Sequence, residues 1–291
     1  MNLFTPGRLA QMACLIEATA GKPGNVHPLR HFDDAHYLDF VLSALVIGPP
    51  LDRARTEGIG EAVLGAVQAT REVVTTNTNL GMILLLAPLA AVSPEISLES
   101  GIEDVLASTT VEDTIQVYRA IRLACPGGLG NAAEQDVREE PTVPLREAMM
   151  LASSRDFIAQ QYANGYRTVL HEALPRLRRS LRSGDPLETA IVTTHLDLLA
   201  RYPDSLIVRK WGRAVAEDVS RKATEILEAD WPRRHGSAER LARFDGFLRD
   251  SGKRINPGTT ADLVSAALYA ALRDGTIELP RVSGAAGWSM V

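Results

Sequence analysis

At 291 residues, 45% of them hydrophobic, and with a net charge of −5, the chain has the make-up of a folded, mildly acidic protein and not of a disordered one. It has no basic stripe to bind nucleic acid, and no apolar run approaching the roughly 20 residues of a membrane span. Cys14 and Cys125 are far apart, in apolar surroundings and without metal-type spacing, so they read as free thiols; with no leader-like N-terminus, the chain reads as cytoplasmic.

Residues 8–20 place Leu9, Met12, Ala13, Leu15 and Ile16 at helical spacing. Gly21, Pro23 and Gly24 then stop the helix. The stretch 22–39 crowds together Lys22, His27, His31, Asp33, Asp34, His36 and Asp39. Ionisable groups this dense, set between apolar helices, must pair with one another or bind something. Asp33 or Asp34 can cap a helix over 35–47. On that helix His36 and Asp39 share a face, with Ser43 one turn on, and Tyr37, Phe40, Val41 and Leu45 form the core-facing side.

Gly48-Pro49-Pro50 reads as a loop and 58–74 as a helix. Thr75-Thr76-Asn77-Thr78-Asn79-Leu80-Gly81 is a polar break before the apolar helix 82–91, placing hydroxyls and amides where anions are favoured. Helices follow over 98–108 and 110–123, the second opened by a Thr110/Asp113 capping box. The connection 125–144 is long enough to be functional or disordered. Pro144 then starts a long helix over 145–170 that carries Asp156, Gln160, Tyr162, Asn164 and Arg167. Residues 175–182 read as a basic surface patch, and 186–201 as a helix with His195. After Tyr202-Pro203-Asp204-Ser205 a helix is expected over 206–229. Arg209 and Lys210 fall in its first turn, where they oppose the macrodipole and either face solvent or meet an anion. Ser237 caps a charged helix to 250; Asn256-Pro257-Gly258-Thr259-Thr260-Ala261-Asp262 precedes the last apolar helix, 263–272; residues after about 275 read as a loose tail.

Strand-like alternation is almost absent, and neither a repeat nor a linker divides the chain. The expected fold is all-α: a single-domain multi-helix bundle over 1–291 with its site built from loops and helix N-termini. The polar breaks can converge at one end of such a bundle. They would bring carboxylates (Asp33, Asp34, Asp39, Asp204, Asp262), amides (Asn25, Asn77, Asn79, Asn256) and cations (Lys22, Arg209, Lys210) together. Carboxylates with amides and water suit magnesium, and cations with helix N-termini suit phosphates. Together they point to a magnesium–polyphosphate site and phosphoryl or glycosyl transfer. Blander readings stand beside this one. Asp33 and Asp34 serve equally as caps, His27 and His31 as surface loop residues, and His36 as a structural histidine bonded to Asp39. No His pair has zinc spacing, no Gly-x-Ser-x-Gly occurs, and Gly127-Gly128-Leu129-Gly130 lacks the Lys-Ser/Thr of a phosphate loop.

Taken in order, these breaks resemble those of the triphosphoribosyl-dephospho-coenzyme A synthases, which serve citrate and malonate lyase or decarboxylase systems. Lys22-Pro23-Gly24-Asn25-Val26 is similar to the family's Lys-Pro-Gly-Leu-Val, and Ala35-His36 with Asp39 to its Gly-Ala-His-x-Asp-Met. Asn77-Thr78 and Gly81 match parts of Gly-Gly-Val-Asn-Thr-His-Lys-Gly. Asp204-Ser205 with Arg209 resembles Asp-Ser-His…Arg, and residues 257–263 resemble Pro-Gly-Gly-Ser-Ala-Asp-Leu. The resemblance spans about residues 9–272 and implies an all-α fold. It also implies a reaction joining the ribose C1 of ATP to the ribose of 3′-dephospho-coenzyme A with release of adenine. ATP is then a substrate, magnesium the expected cofactor and small nucleotides the partners. Apart from the resemblance, the short apolar runs predict no membrane partner, and a homodimer stands as a candidate assembly that the sequence does not decide.

The resemblance also assigns roles. Lys22, Arg209 and Lys210 neutralise the triphosphate. Asn25, Asn77, Thr78, Asn79 and Asn256 bind ribose or phosphate. Asp33, Asp34, Asp39 and Asp262 are metal candidates, and Lys22, His36, Asp39 and Asp204 catalytic candidates. The family's His-Lys is replaced here by Asn79-Leu80, its late histidine by Leu206 and its second late glycine by Thr259. Such a chain looks like a divergent branch of the type found near tetrahydromethanopterin genes in one-carbon-metabolising organisms. Two further readings follow: a related transferase or ligase in that cofactor chemistry, and a non-catalytic helical binding or scaffold protein.

Overall fold

A computed structural model describes residues 4–127, 134–249 and 254–278. The chain is all-α: among the described residues only isolated bridges, His27 with Arg30 and Phe32 with Ala35, have β character. The helices are α1 Pro6–Thr19, α2 Tyr37–Val46, α3 Gly48–Asp52, α4 Ala54–Glu57, α5 Ile59–Val73, α6 Leu80–Ala91, α7 Leu98–Ala107 and α8 Val111–Ala124. After the long connection come α9 Leu145–Ala152, α10 Phe157–Ala163, a π-helical turn Val169–Ala173, α11 Leu174–Arg182, α12 Leu187–Arg201, α13 Ser205–Trp211, α14 Arg213–Glu228, α15 Ser237–Arg249 and α16 Gly258–Arg273. No helix among the described residues is long and apolar enough to cross a membrane.

The centre is built on α6 and α16, apolar on nearly every side and buried by their neighbours. Pro88 inside α6 has no N–H for the Leu84 carbonyl. The hydroxyl of buried Tyr162 donates to that carbonyl at 2.6 Å, and that of Tyr166 donates to the Leu85 carbonyl at 2.9 Å, so the break in the ladder is satisfied. A smaller core joins Val192, Leu196 and Leu199 of α12 to Ile207, Val219, Ile226, Phe244 and Leu248. Helix α12 also lends Ile191 and Leu198 to the main core, so the two cores share a helix. The Thr110/Asp113 capping box forms as read from the sequence, and Asp113 also accepts Gly60 N–H at 2.7 Å.

Several boundaries differ from expectation for local reasons. Gly48-Pro49-Pro50 starts α3 instead of forming a loop, because proline is tolerated in a first turn. The expected helix 145–170 is divided: Asp156 caps a new helix, and Gly165 and Tyr166, at φ +65° and +61°, interrupt the next. Gly212, at φ +87°, ends α13, so Arg209 and Lys210 lie in the last turn, where their charge complements the helix dipole. The basic stretch 175–182 is helix α11 with Leu177 and Ser180 buried, and α16 begins at Gly258, ahead of the expected 263. On α2 the side read as core is reversed at Leu45, which is 53% exposed; Ser43 and Ala44 are the buried residues. Ile277 donates to the Ala271 carbonyl at 3.0 Å and packs on the core, and the rest of the expected tail lies outside the described residues. So do 128–133 of the glycine-rich connection.

Candidate active site

Asp204 is fully buried and joins two helix starts. Its Oδ1 accepts the N–H groups of Leu206 and Ile207 at 2.9 and 3.1 Å, capping α13. Its Oδ2 accepts the Thr260 N–H at 2.7 Å and hydroxyl at 2.8 Å, in the first turn of α16. Ser205 donates to Thr259 at 3.1 Å and accepts the Phe157 N–H at 3.2 Å, drawing in α10. Asp156 caps α10 through Ile158 and Ala159 at 2.9 and 3.0 Å, and its other oxygen lies 3.1 Å from Arg209 Nη1. Asp262, one turn into α16, reaches α6: a Cβ on Gly81 would stand 2.0 Å from Asp262 Oδ2. The N-terminal ends of α6, α10, α13 and α16 therefore meet around three carboxylates and one arginine.

These acids differ in what holds them. Asp156 and Asp204 are spent on caps, whereas the partly exposed Asp262 has no hydrogen-bond partner among the described residues. Desolvation, then Glu17, Asp204 and Asp156, push the Asp262 carboxyl well above the ordinary carboxylate range, with Arg209 pulling the other way. Burial raises Asp204 as well, against the lowering effect of Thr260 and the helix N–H groups. Lys210 is lowered by burial and by Arg254 and Arg209, with Asp34 opposing. Arg209, Lys210 and Arg254 thus lie within electrostatic reach of one another, with Arg209 against Asp156 and Arg254 against Asp34.

The Gly-Lys-Pro-Gly-Asn break lies alongside, with its charges placed otherwise than expected. Lys22 is fully buried; its ammonium sits 2.9 Å from Glu17 Oε1 and donates to the carbonyls of Ala20, at 3.1 Å, and Glu17. All three of its hydrogens are used inside the molecule, so the geometry does not offer Lys22 to a triphosphate. Burial raises Glu17, and Lys22 opposes the rise. Gly24, at φ +74°, donates to Asp245 Oδ1 at 2.8 Å; a side chain there would meet Pro257 and Leu248. Asn25 Nδ2 donates to Asn256 Oδ1 at 2.8 Å, and buried Asn25 Oδ1 has no partner among the described residues.

Asp34 pairs with Arg254, whose guanidinium lies 3.8 Å from the Phe32 ring centre, with Arg249 at 4.9 Å from the same centre. His36 is the exposed N-cap of α2, and Asp39 accepts its backbone N–H at 2.7 Å; Asp33 is exposed. In the Asn-Thr break, Asn77 accepts the Leu80 N–H at 3.3 Å, Thr78 bonds Ser43 at 2.6 Å, and buried Asn79 donates to Thr70 at 3.3 Å. The structure therefore assembles Asp204, Arg209 and Asp262, with Lys210 near Arg209 and Asn25 bonded to Asn256, while Asp39, Asn77, Thr78 and Asn79 serve caps and packing. Of the four metal candidates, only Asp33 and Asp262 have no hydrogen-bond or ion-pair partner among the described residues, and Asp33 lies on the exposed loop. No group of three or more His, Cys, Asp or Glu among the described residues is arranged to hold a metal ion.

Three participants escaped the sequence reading. Asp156 stands directly before the apolar run Phe157-Ile158-Ala159, an N-cap signal hidden by the assumption of one long helix. Glu17 is the lone acid of α1, five residues before Lys22. Arg254 carries no local signal, since its importance comes from Phe32 and Asp34, more than two hundred residues away.

A cluster of acids and cations at helix ends, set in an all-α body, is an arrangement for handling a charged small molecule. The chain belongs to the ATP:dephospho-CoA triphosphoribosyl transferase (CitG) family, whose profile matches residues 4–280. It is 27% identical over 294 residues to a "Probable 2-(5''-triphosphoribosyl)-3'-dephosphocoenzyme-A synthase" of Streptococcus equi subsp. equi (strain 4047), covering 93% of this chain and 97% of the relative. A 2-(5''-triphosphoribosyl)-3'-dephosphocoenzyme-A synthase of Pectobacterium atrosepticum is 31% identical over 103 residues, 35% of this chain and 32% of that protein. The crystal structure of an inferred triphosphoribosyl-dephospho-coA synthase from Archaeoglobus fulgidus superposes with a TM-score of 0.63 at 26% identity, covering 80% of this chain and 98% of that one. The protein is accordingly a transferase of this family.

Proposed function

We propose that this chain transfers the triphosphoribosyl group of ATP to a ribose hydroxyl of 3′-dephospho-coenzyme A, releasing adenine. The observation that carries the reading is the convergence of Asp156–Arg209, Asp204 and Asp262, with Lys210 and Arg254 beside Arg209, in a member of this family. In the reaction the bond between ribose C1 and adenine breaks and a bond from C1 to the acceptor oxygen forms. The hydroxyl proton leaves with adenine, so charge and atoms balance. Arg209, Lys210 and Arg254 neutralise the triphosphate. Asp262, with no hydrogen-bond partner among the described residues, faces the ribose, and the positive charge that develops at C1 favours its ionised form, which stabilises that charge in turn. Asp204 and Asp156 act as positioning residues that lock α10, α13 and α16 together. Lys22 holds the end of α1 through Glu17 and contributes indirectly.

Magnesium fits this site as an ion that arrives with the triphosphate. Such ions use one or two protein carboxylates and complete their shell with phosphate oxygens and water, so a three-residue protein cage is not required. Asp262 has free oxygen lone pairs to hold it, and the bound ion would neutralise phosphate charge. Asp34 and Asp39 are engaged elsewhere.

A second reading, transfer to a different acceptor as in one-carbon cofactor chemistry, draws on the Asn-Thr break. There Asn79 is bonded to Thr70 and Leu80 is buried, so that break supplies no cation. Incubation with ATP, magnesium and 3′-dephospho-coenzyme A, followed by chromatography and mass spectrometry, should show adenine and the adduct in equal amounts. Failure to form adenine, with no ATP-induced rise in Tm, would sink the main reading. Adenine release only with another acceptor would establish the second.

A further inference from the structure

Helices α14 and α15 border a groove of about 270 Å³. Lys222 and Ile226 line it from one face of α14; Arg240, Arg243, Phe244 and Phe247 line it from one face of α15, at helical spacing. Its floor is apolar: Ile226 and Phe244 are buried, and the Phe244 ring stacks on that of Phe247 at 6.4 Å with the planes 13° apart. Phe247 is 36% exposed, so an aromatic ring reaches the mouth. The rim is cationic. Lys222 Nζ lies 4.6 Å from the centre of the Phe247 ring. Neither that ammonium nor the guanidinium of Arg240 or Arg243 has a hydrogen-bond or ion-pair partner among the described residues. The one acid of the lining, Glu225, accepts from Arg221 at 2.7 Å. The exposed arginines of α14, by contrast, are paired: Arg213 with Glu217, and Arg221 with Asp218 and Glu225. Lys222, Arg240 and Arg243 therefore gather uncompensated charge around one groove in a protein whose net charge is −5, and they repel one another unless an anion lies between them.

From this combination we infer that the groove binds a mononucleotide, its phosphate held by Arg240, Arg243 and Lys222 and its base laid against Phe247. Arginine forks match pairs of phosphate oxygens, and lysine adds a point charge. A phenylalanine ring gives any base a flat apolar surface to stack on. On binding, Lys222 exchanges its contact with the Phe247 ring for the phosphate, which frees the ring for the base. An inorganic anion would leave the aromatic floor unused, and a neutral ring would leave the cations unpaired. The volume lies just under the roughly 300–1,000 Å³ of small-ligand sites, which suits a mononucleotide and is too small for a whole coenzyme A chain. None of the lining residues belongs to the cluster around Asp262 and Arg209; Ile226 and Phe244 are part of the smaller core. The groove is thus a second site, and the inference stands whether or not the proposed reaction does.

The test photolabels the full chain with 8-azido-AMP and maps the label by peptide mass spectrometry. Label should fall within residues 222–247, and it should persist there in Arg209→Ala, which impairs the other site. AMP should protect these peptides at concentrations at least tenfold lower than adenosine or inorganic phosphate, each of which fills only half of the groove. Arg240→Ala combined with Arg243→Ala should weaken labelling at least tenfold, and Phe247→Ala at least fivefold, with the circular dichroism unchanged. Labelling should also weaken as salt is raised, because the phosphate contacts lie at the rim. Absence of label from 222–247, labelling that survives the double substitution in a folded chain, or inorganic phosphate protecting as well as AMP would overturn the inference.

Discussion

The carboxylate of Asp262 occupies the space that a side chain on Gly81 would need: a Cβ there would stand 2.0 Å from Oδ2 and 2.5 Å from Cγ, with Ile158 Cδ1 at 2.8 Å. Residues 181 positions apart thereby set the distance between the two most buried helices at the site. Gly81→Ala should displace Asp262, cutting turnover by at least tenfold while costing about 1–3 kcal/mol of stability through overpacking. Steady-state kinetics beside urea denaturation separates the two effects; unchanged turnover would show that Asp262 has no part in the reaction.

Asp262 also makes stability depend on pH with a definite sign. Its folded carboxyl titrates above the unfolded one, so its contribution is fully present below the unfolded pKa and is lost as pH rises through the folded value. Asp262→Asn should therefore raise Tm by a few degrees at alkaline pH and by little in acid, while abolishing adenine release. Thermal melts across pH, paired with the adenine assay, check both halves.

Lys22 and Glu17 form a buried pair whose halves depend on each other. Lys22→Met leaves the Glu17 carboxylate uncompensated and should cost about 3–5 kcal/mol. Adding Glu17→Leu should restore most of that loss. A double variant that is both stable and active confirms an architectural role for Lys22. One that is stable but inactive would return Lys22 to the reaction.

Arg209 contacts Asp156 and faces the cluster, and its Nε has no hydrogen-bond partner among the described residues. Removing its charge should weaken binding of the polyanion more than turnover. Arg209→Ala is expected to raise the KM for ATP about tenfold or more and to flatten its dependence on ionic strength. A fall in kcat with KM unchanged would contradict this placement.

His195 is fully buried, neither ring nitrogen has a hydrogen-bond partner among the described residues, and burial followed by Lys22 pushes its pKa down to about 3. A depressed folded pKa contributes stability above the unfolded value near 6.5 that drains away as pH falls toward 3. Wild type should lose stability through that window, and His195→Leu should lose less. Parallel slopes in acid titrations of urea midpoints would refute the assignment.

Much of this molecule is written locally. Periodicity and caps mark the helices, as at Thr110/Asp113, because spacing and capping act over a few residues. Helix ends were less legible: Gly212 closes α13 through a backbone conformation, and Asp156 opens α10 inside what reads as one apolar run. The same limit explains Leu45, whose apolar character predicts burial until the fold leaves that side of α2 open.

The sequence by itself determined the all-α class, the order of the polar breaks and the family resemblance, since each rests on residue type and spacing along the chain. Tertiary structure decided which charges remain available. Lys22 was withdrawn into an ion pair with Glu17, Asp39 into a cap and Asp34 onto Arg254, whereas Asp156 was brought to Arg209 and Asp262 to Gly81. The physical reason is that a charge acts through its partners and its burial, and both are set by segments up to two hundred residues away.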